Sequence, residues 1–290
     1  MKGIILAGGT GSRLYPGTKV LSKQLLNVYD KPMIYYSLSI LLVAKIKDIL
    51  IITSPDHYNL YKSLFKDGSQ LGVRISYEIQ SKPRGLVDAF IIGEKFIGNE
   101  SVCLVLGDNI VYGNGLYELL SSSIRKVEKT NSPLVFGYEV ENPEDYGVAE
   151  LDDQGRLISL VEKPKNPKSN LAIIGIYMYP NNVIEFSKKI RPSKRGELEI
   201  TSLNQIYLTN NDLDIQIFGR GFSWFDTGTY NSILEASNLI RLIEKRSGLK
   251  IGCLEEISFN QGFISKNEIK TIINELNECD YKNYLKRLIK

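Results

Sequence analysis

Gly3 to Ala7, Asp48 to Thr53 (DILIIT) and Val102 to Leu106 (VCLVL) are short runs with almost no polar residue in them. A strand with one wet face alternates polar and apolar side chains. These runs do not, so each must be covered on both faces. Between them lie segments of helical period, Ile34 to Ala44, Asp56 to Phe65 and Leu86 to Phe96, and one further strand, Arg74 to Ile79. Doubly buried strands that alternate with helices form a parallel sheet between two helical layers. Right-handed crossovers then make it a Rossmann-like, doubly wound α/β layer.

After about Asp108 the pattern changes. Leu134 to Glu141, Gly147 to Leu151, Leu157 to Glu162, Ala172 to Tyr179 and Asp214 to Gly219 read as strands, with Asp152-Asp153-Gln154-Gly155 as a turn. This half is expected to extend the same sheet in mixed orientation. Asn231 to Glu244 carries Ile233, Ala236, Ile240 and Ile243 at helical spacing, and Asn267 to Lys290 reads as a helix rich in Lys and Glu. From about Thr229 these helices are expected to form a small appended module.

Composition narrows the classes of function. With 290 residues, 43% of them hydrophobic, the chain can bury a substantial core. Thirty-six basic residues against 33 acidic leave a net charge of +3, too little for a global field that would draw the protein onto nucleic acid. Cys103, Cys253 and Cys279 are far apart and lack CxxC spacing, so neither a disulfide framework nor a thiolate metal site is indicated. The opening apolar run is too short for a signal peptide, and no other run is long enough to span a bilayer. The expectation is a soluble cytoplasmic protein that handles small molecules.

Four constellations bear chemistry. Leu6-Ala7-Gly8-Gly9-Thr10-Gly11-Ser12-Arg13-Leu14 follows the first strand, where the carboxyl ends of parallel strands open onto a ligand crevice. Glycines let backbone N–H groups approach a phosphate or a base edge, and Arg13 and Lys23 supply cations. The loop is neither a dinucleotide fingerprint nor a Walker A loop, and an ordinary glycine-rich turn is the bland alternative. Gly107-Asp108-Asn109 places a carboxylate at another strand end, suited to a hard cation or equally to a turn. Ser223 to Thr229 (SWFDTGT) runs from a strand end into a helix. Asp226 there is either a helix cap or a partner for Asp108 on Mg²⁺. The Asp-Thr-Gly-Thr likeness to an aspartic protease fails because that chemistry needs two copies. Glu162-Lys163-Pro164 and Arg195-Gly196-Glu197-Leu198-Glu199-Ile200-Thr201 offer two cations for a second phosphate and a carboxylate for hydroxyls, or ordinary surface charges. His57, the one histidine, sits at an expected helix start and reads as a surface residue.

In order, GIILAGGTGSRLYP, SKQLL-VYDKPMIYY, LGDNI, YGV, EKP, GIY, RGELEIT and WFDTGT closely resemble the short-form glucose-1-phosphate thymidylyltransferases, from Lys2 to the C-terminal Tyr284-Leu285-Lys286-Arg287. The resemblance implies a GT-A-like nucleotidyltransferase fold. It divides the chain into a catalytic domain, 1–228, and a C-terminal helical module, 229–290, for oligomerisation or regulation. Within the former, about 1–110 would bind the nucleotide and about 111–228 the sugar phosphate. The implied reaction joins dTTP to α-D-glucose 1-phosphate, giving dTDP-glucose and pyrophosphate, the first step towards dTDP-L-rhamnose and other deoxysugars. Leu6, Gly8, Gly9 and Gly11 would contact the nucleotide, Arg13 and Lys23 its phosphates, and Gln80 and Gly85 the pyrimidine. Asp108 and Asp226 would hold Mg²⁺. Tyr146, Gly147, Glu162 and Ile174 would line the sugar pocket, with Lys163 and Arg195 on its phosphate. Arg13, Lys23, Asp108, Lys163 and Asp226 would carry catalysis. The family also implies a homotetramer and a regulatory nucleotide site at Tyr117, Gly219, Arg220 and Glu256.

The chain departs from the family pattern in places. G-L-A-Q-A reads Gly85-Leu86-Val87-Asp88-Ala89, the proline after SKQLL is Asn27, and V-T-G-L-Y reads Ile173-Ile174-Gly175-Ile176-Tyr177. Histidines that some relatives carry near the regulatory site are Asn114 and Tyr117. Two other readings stand beside this one. A uridylyl- or cytidylyltransferase would differ in its base pocket, where a methyl is worth about ten- to two-hundredfold. A non-catalytic nucleotide-sugar sensor would need no metal ligands.

Overall fold

Each apolar run serves two cores at once. In the computed structural model, which describes residues 1–210 and 212–290, the chain forms strands β1 (Lys2–Ala7), β2 (Asn27–Val28), β3 (Lys31–Pro32), β4 (Asp48–Thr53), β5 (Arg74–Ile79), β6 (Val102–Leu106) and β7 (Asn109–Gly113). There follow β8 (Leu134–Glu139), β9 (Gly147–Leu151), β10 (Leu157–Glu162), β11 (Leu171–Tyr179), β12 (Asp214–Ile217) and β13 (Phe222–Asp226). Ile5 and Ala7 of β1, Ile49 and Ile51 of β4, and Cys103 and Val105 of β6 pack with the helices Ile34–Val43, Tyr58–Phe65 and Leu116–Thr130. Their neighbours Ile4, Leu6, Leu50, Ile52, Val102 and Leu104 pack on the other face, against Val87, Ala89 and Phe90 and the helix Ile200–Thr209. Side chains alternate across a strand, so two covered faces require a strand apolar throughout.

Strands β5, β4, β1 and β6 lie side by side and parallel. The sheet then turns mixed as expected: β11 runs antiparallel to β6, and β8, β9, β10 and β12 complete nine strands. Along one edge β11 changes partner. Ala172 and Ile173 pair with β9, whereas Ile176 to Tyr179 pair with β6. The hairpin-like pair β7 and β13 stands apart from the main sheet and begins beside that junction.

Several helices differ from the sequence expectation. Leu86 to Phe96 is two short helices, Asp88–Ile92 and Glu94–Ile97, interrupted at Gly93. Asn267 to Lys290 is Lys266–Glu275 and Asp280–Leu288, because Leu276 turns extended at ψ 142°. The helices Leu116–Thr130, Val183–Lys189, Ile200–Thr209 and Leu254–Asn260 are additional to those expected. The first of them is amphipathic, with Leu116, Leu119, Leu120, Ile124 and Val127 at helical spacing against the core and Ser123 buried among them. The helix Tyr230–Ser247 is capped by Thr229, whose hydroxyl accepts the Ser232 N–H. It rests Ala236 and Ile240 on Val28, Met33, Tyr36 and Ile110. The last helices gather Cys253, Ile264, Ile269, Ile273, Tyr284 and Leu285 into a core of their own. Among the described residues, no helix is long and apolar enough to cross a membrane.

Candidate functional site

The loop after β1 turns back on itself through two left-handed residues, Gly9 (φ 102°) and Gly11 (φ 56°), a conformation that costs any L side chain about 1–2 kcal/mol. Leu14 is buried and anchors the following turn, leaving Arg13 exposed. Its guanidinium reaches across the crevice: a Cβ on Gly228 would stand 3.1 Å from Arg13 Nη2 and 3.4 Å from Asp226 Oδ1. Lys23 is aimed by its buried neighbours Ser22 and Gln24. The Tyr61 hydroxyl donates to Ser22 Oγ (2.8 Å), and Gln24 Nε2 donates to the Gly8 carbonyl (3.3 Å).

Lys23 Nζ lies 2.5 Å from Asp108 Oδ2 and 3.9 Å from Asp226 Oδ1, so one ammonium faces both carboxylates. Asp108 sits between β6 and β7, while Asp226 ends β13 directly opposite Asn109. The Thr227 N–H and hydroxyl donate to the Asp108 carbonyl at 3.2 and 2.7 Å. Asn109 orients the carboxylate, donating from Nδ2 to Asp108 Oδ1 at 3.0 Å. Its own Oδ1 accepts from Trp224 Nε1 (2.6 Å) and from the Gly175 N–H (2.9 Å). Asp226 is therefore no helix cap; that place belongs to Thr229.

Burial, and then the facing charge of Asp108, push the Asp226 carboxyl up to about 6, against the opposing fields of Lys23, Arg13 and Lys163. Burial also opposes ionisation of Asp108, but the Lys23 charge and hydrogen bonds from Lys23 and Asn109 outweigh it and hold that carboxyl below its usual range. Two carboxylates that repel each other this way, with hard oxygen donors, fit a divalent cation whose remaining positions come from phosphate and water. Among the described residues no group of three or more His, Cys, Asp or Glu could hold a metal.

A second cluster lies beyond β10. Thr201 Oγ1 donates to Glu162 Oε2 at 2.5 Å, and the place where a Gly147 Cβ would stand is 3.5 Å from that oxygen. Arg195 Nη2 is 2.8 Å from Glu199 Oε1 and 3.7 Å from Glu162 Oε1, so Arg195 is already engaged by carboxylates. The Tyr146 ring lies 5.0 Å from that of Trp224, and burial followed by the Asp226 charge raises the pKa of its hydroxyl. Lys163 links the clusters. Its N–H donates to the Tyr146 carbonyl (2.9 Å), its charge acts on Asp226, and its backbone is left-handed at φ 44°. The Ile174 side chain is wholly enclosed in the core.

At the far end of the crevice, Gln80 is buried beside the glycine loop, its Oε1 2.9 Å from where a Gly8 Cβ would stand. Gly85 is left-handed (φ 107°), and a Cβ there would stand 2.5 Å from the Leu198 carbonyl oxygen. Leu198 N–H donates to the Arg84 carbonyl at 2.6 Å, which ties the segment carrying Arg195 and Thr201 to the segment carrying Gln80 and Asp88.

The structure brings Arg13, Lys23, Asp108, Asp226 and Lys163 to one crevice, with Tyr146, Gly147, Glu162 and Arg195 on one flank and Gln80 and Gly85 on the other. Tyr117 stacks under Lys45 Nζ (5.1 Å), Glu256 accepts from the Tyr284 hydroxyl (2.6 Å), and Gly219 and Arg220 lie in the exposed turn before β13. Sequence reasoning missed Asn109, Thr227, Thr201 and Trp224. Asn109 and Thr227 each follow a singled-out aspartate directly, which was the available signal.

Residues 2–242 match the family described as nucleotidyl transferase. A glucose-1-phosphate thymidylyltransferase of Neisseria meningitidis is 50% identical over 290 residues, covering 100% of both chains. One from Mycolicibacterium smegmatis is 49% identical, covering 100% of this chain and 99% of its own. Among solved structures, a Bacillus anthracis protein described as a glucose-1-phosphate thymidylyltransferase, in complex with a sucrose, superposes with a TM-score of 0.76. It is 40% identical, over 83% of this chain and 95% of that one. A UDP-glucose pyrophosphorylase complexed with UDP-glucose gives a TM-score of 0.73 at 26% identity, over 83% of this chain and 98% of that one. With sequence, fold and crevice in agreement, the chain belongs to the nucleotidyl transferase family and, within it, to the glucose-1-phosphate thymidylyltransferases.

Proposed function

We propose that the protein transfers the thymidylyl group of dTTP to α-D-glucose 1-phosphate, giving dTDP-glucose and pyrophosphate. The observation that carries this reading is Lys23 facing both Asp108 and Asp226, with the charges of Arg13 and Lys163 also acting on Asp226. A site for joining two anions needs such a ring of cations around a metal-holding pair.

An oxygen of the sugar phosphate forms a bond to the α-phosphorus, the bond from that phosphorus to its bridging oxygen breaks, and pyrophosphate leaves with the electron pair. No general base is required, because the attacking oxygen is already ionised near neutral pH; alignment and charge neutralisation do the rest. Mg²⁺ bound by Asp108 and Asp226 would neutralise charge on the nucleotide phosphates. Arg13, at the mouth of the glycine loop, faces the departing pyrophosphate. Lys23 exchanges its carboxylate contacts for the nucleotide phosphates, and Lys163 orients the attacking phosphate. Glu162, held by Thr201, accepts from sugar hydroxyls beside Gly147 and Tyr146, while Arg195 steadies the sugar phosphate. The glycine loop, Gln80 and Gly85 hold the nucleotide.

The reading extends to a cytoplasmic homotetramer, in which residues 229–290 serve assembly or regulation. Leu234 (60% exposed) and Leu242 (50%) on the helix Tyr230–Ser247 offer apolar surface for it. The test is a coupled pyrophosphate assay over four triphosphates and several hexose 1-phosphates, with and without a chelator. Release that depends on dTTP, glucose 1-phosphate and a divalent cation is expected; equal release without the cation or without the sugar phosphate would refute the reading.

A further inference from the structure

Beside the glycine loop lies a carboxylate that the reaction does not use. Asp88 is 3% exposed, on the first turn of the helix Asp88–Ile92, where the family pattern has glutamine. Its Oδ2 accepts from Gln80 Nε2 at 3.0 Å. Its Oδ1 is buried without a hydrogen-bond partner among the described residues, with Arg84 Nε 3.7 Å away. The same Gln80 Nε2 also donates to the Gly85 carbonyl, at 3.4 Å.

A side-chain amide has two faces of opposite hydrogen-bonding sense, and packing alone rarely distinguishes its oxygen from its nitrogen. Here the partners do. A carboxylate and a carbonyl only accept, so both N–H groups of Gln80 must point towards Asp88 and Gly85. Its Oε1 is left with no protein donor among the described residues and lies towards Gly8, on the crevice side. The reversed amide would set its oxygen against two acceptors and leave both buried N–H groups without them, a cost of about 1–3 kcal/mol for each unsatisfied group.

We infer that Asp88 is a positioning residue for base selection: it locks the Gln80 amide so that an acceptor, not a donor, meets the base edge. The edge that fits is one with a ring N–H, as in thymine and uracil. Cytosine presents a bare ring nitrogen at that place and meets Oε1 with a second acceptor. This inference rests on the thymidylyl-transfer reading and deepens it at the base.

The experiment measures kcat/KM for dTTP and dCTP, with glucose 1-phosphate as acceptor, in the native chain, Asp88→Asn, Gln80→Ala and the double variant, together with each thermal midpoint. An asparagine can donate as well as accept, which frees the Gln80 amide to turn. Asp88→Asn is expected to lower the dTTP-to-dCTP ratio by about tenfold, mainly through KM, at a near-native midpoint. In the Gln80→Ala background it should change the ratio no further, because the group it orients is gone. Asp88→Ala serves if the asparagine form does not fold. A ratio within twofold of native in the folded variant, or a full additional loss in the Gln80→Ala background, overturns the inference while leaving dTTP turnover as evidence for the reaction. A native chain inactive on dTTP overturns the reaction and the inference together.

Discussion

Asn109 Oδ1 accepts the Gly175 N–H at 2.9 Å, in the gap where β11 leaves β9 and takes up β6. A Cβ at position 175 would stand 2.6 Å from Asn109 Nδ2, so Gly175→Ala must displace the side chain that orients Asp108. The expected cost is about 1–3 kcal/mol of stability, with a further fall in turnover as Asp108 loses its donor. Thermal unfolding and kcat at saturating substrate check this; an unchanged midpoint would show that the strand yields instead.

Asp108→Asn removes one of the two carboxylates facing Lys23. Turnover should fall at least a hundredfold, about 3 kcal/mol, with the metal concentration for half-maximal rate displaced upward. Near-native rates at limiting Mg²⁺ would remove Asp108 from the metal site.

Lys163 has φ 44°, a left-handed backbone at the end of β10. Lys163→Ala and Lys163→Gly both delete the cation, so both should lose activity alike. Only glycine relieves the backbone, and it should be the more stable of the pair by about 1 kcal/mol. Comparing the two midpoints decides it, and an alanine form as stable as the glycine form would mean that no strain is held there.

Acid and alkali should each weaken the contact between the β2–β3 hairpin and the C-terminal helices. Asp30 bonds to Lys31 and Lys250, and Lys250 also reaches Glu244 at 3.1 Å. Burial opposes the Asp30 charge, but its two lysines outweigh burial and depress its pKa below 3.8. Its contribution is therefore complete above that value and lost as pH falls through the depressed one. Burial likewise opposes the Lys250 charge, and its carboxylate partners outweigh that, raising it above 10.5. Its contribution is complete below that value and lost as pH rises through the raised one. In Lys250→Met the acid-side decline in midpoint should be shallower than in the native chain, and the alkaline decline due to Lys250 absent. Superimposable midpoint profiles from pH 3 to 11 would exclude the linkage.

The central parallel strands were legible because doubly buried strands leave no alternation to misread, and the bounds of β4 and β6 follow their apolar runs. Asp108 was legible because it follows such a run within two residues, and Asp226 because its strand leads straight into a helix. Their supports were not, since these are made by distant chain: Asn109 meets Gly175 and Trp224, 66 and 115 residues away. The helix Leu116–Thr130 carries its own signal, Leu116, Leu119, Leu120, Ile124 and Val127 at helical spacing, which the sequence reading did not use. Asp88 could be read as a carboxylate near the base, but not as the partner of Gln80, because β5 had first to bring Gln80 alongside it.

Neighbouring residues of β1, β4 and β6 are committed to different cores, Ile5 to one and Ile4 to the other. Inserting a single residue early in any of these strands would exchange every partner downstream and turn the glycine loop or Asp108 away from the crevice. The turn Asp152 to Gly155 carries no such commitment, with Gly155 open to solvent and nothing within 4 Å of its would-be Cβ. Length variation in proteins built on this plan should therefore gather at that turn and be purged from the central strands, so that the spacing from strand start to catalytic carboxylate behaves as a fixed unit of inheritance.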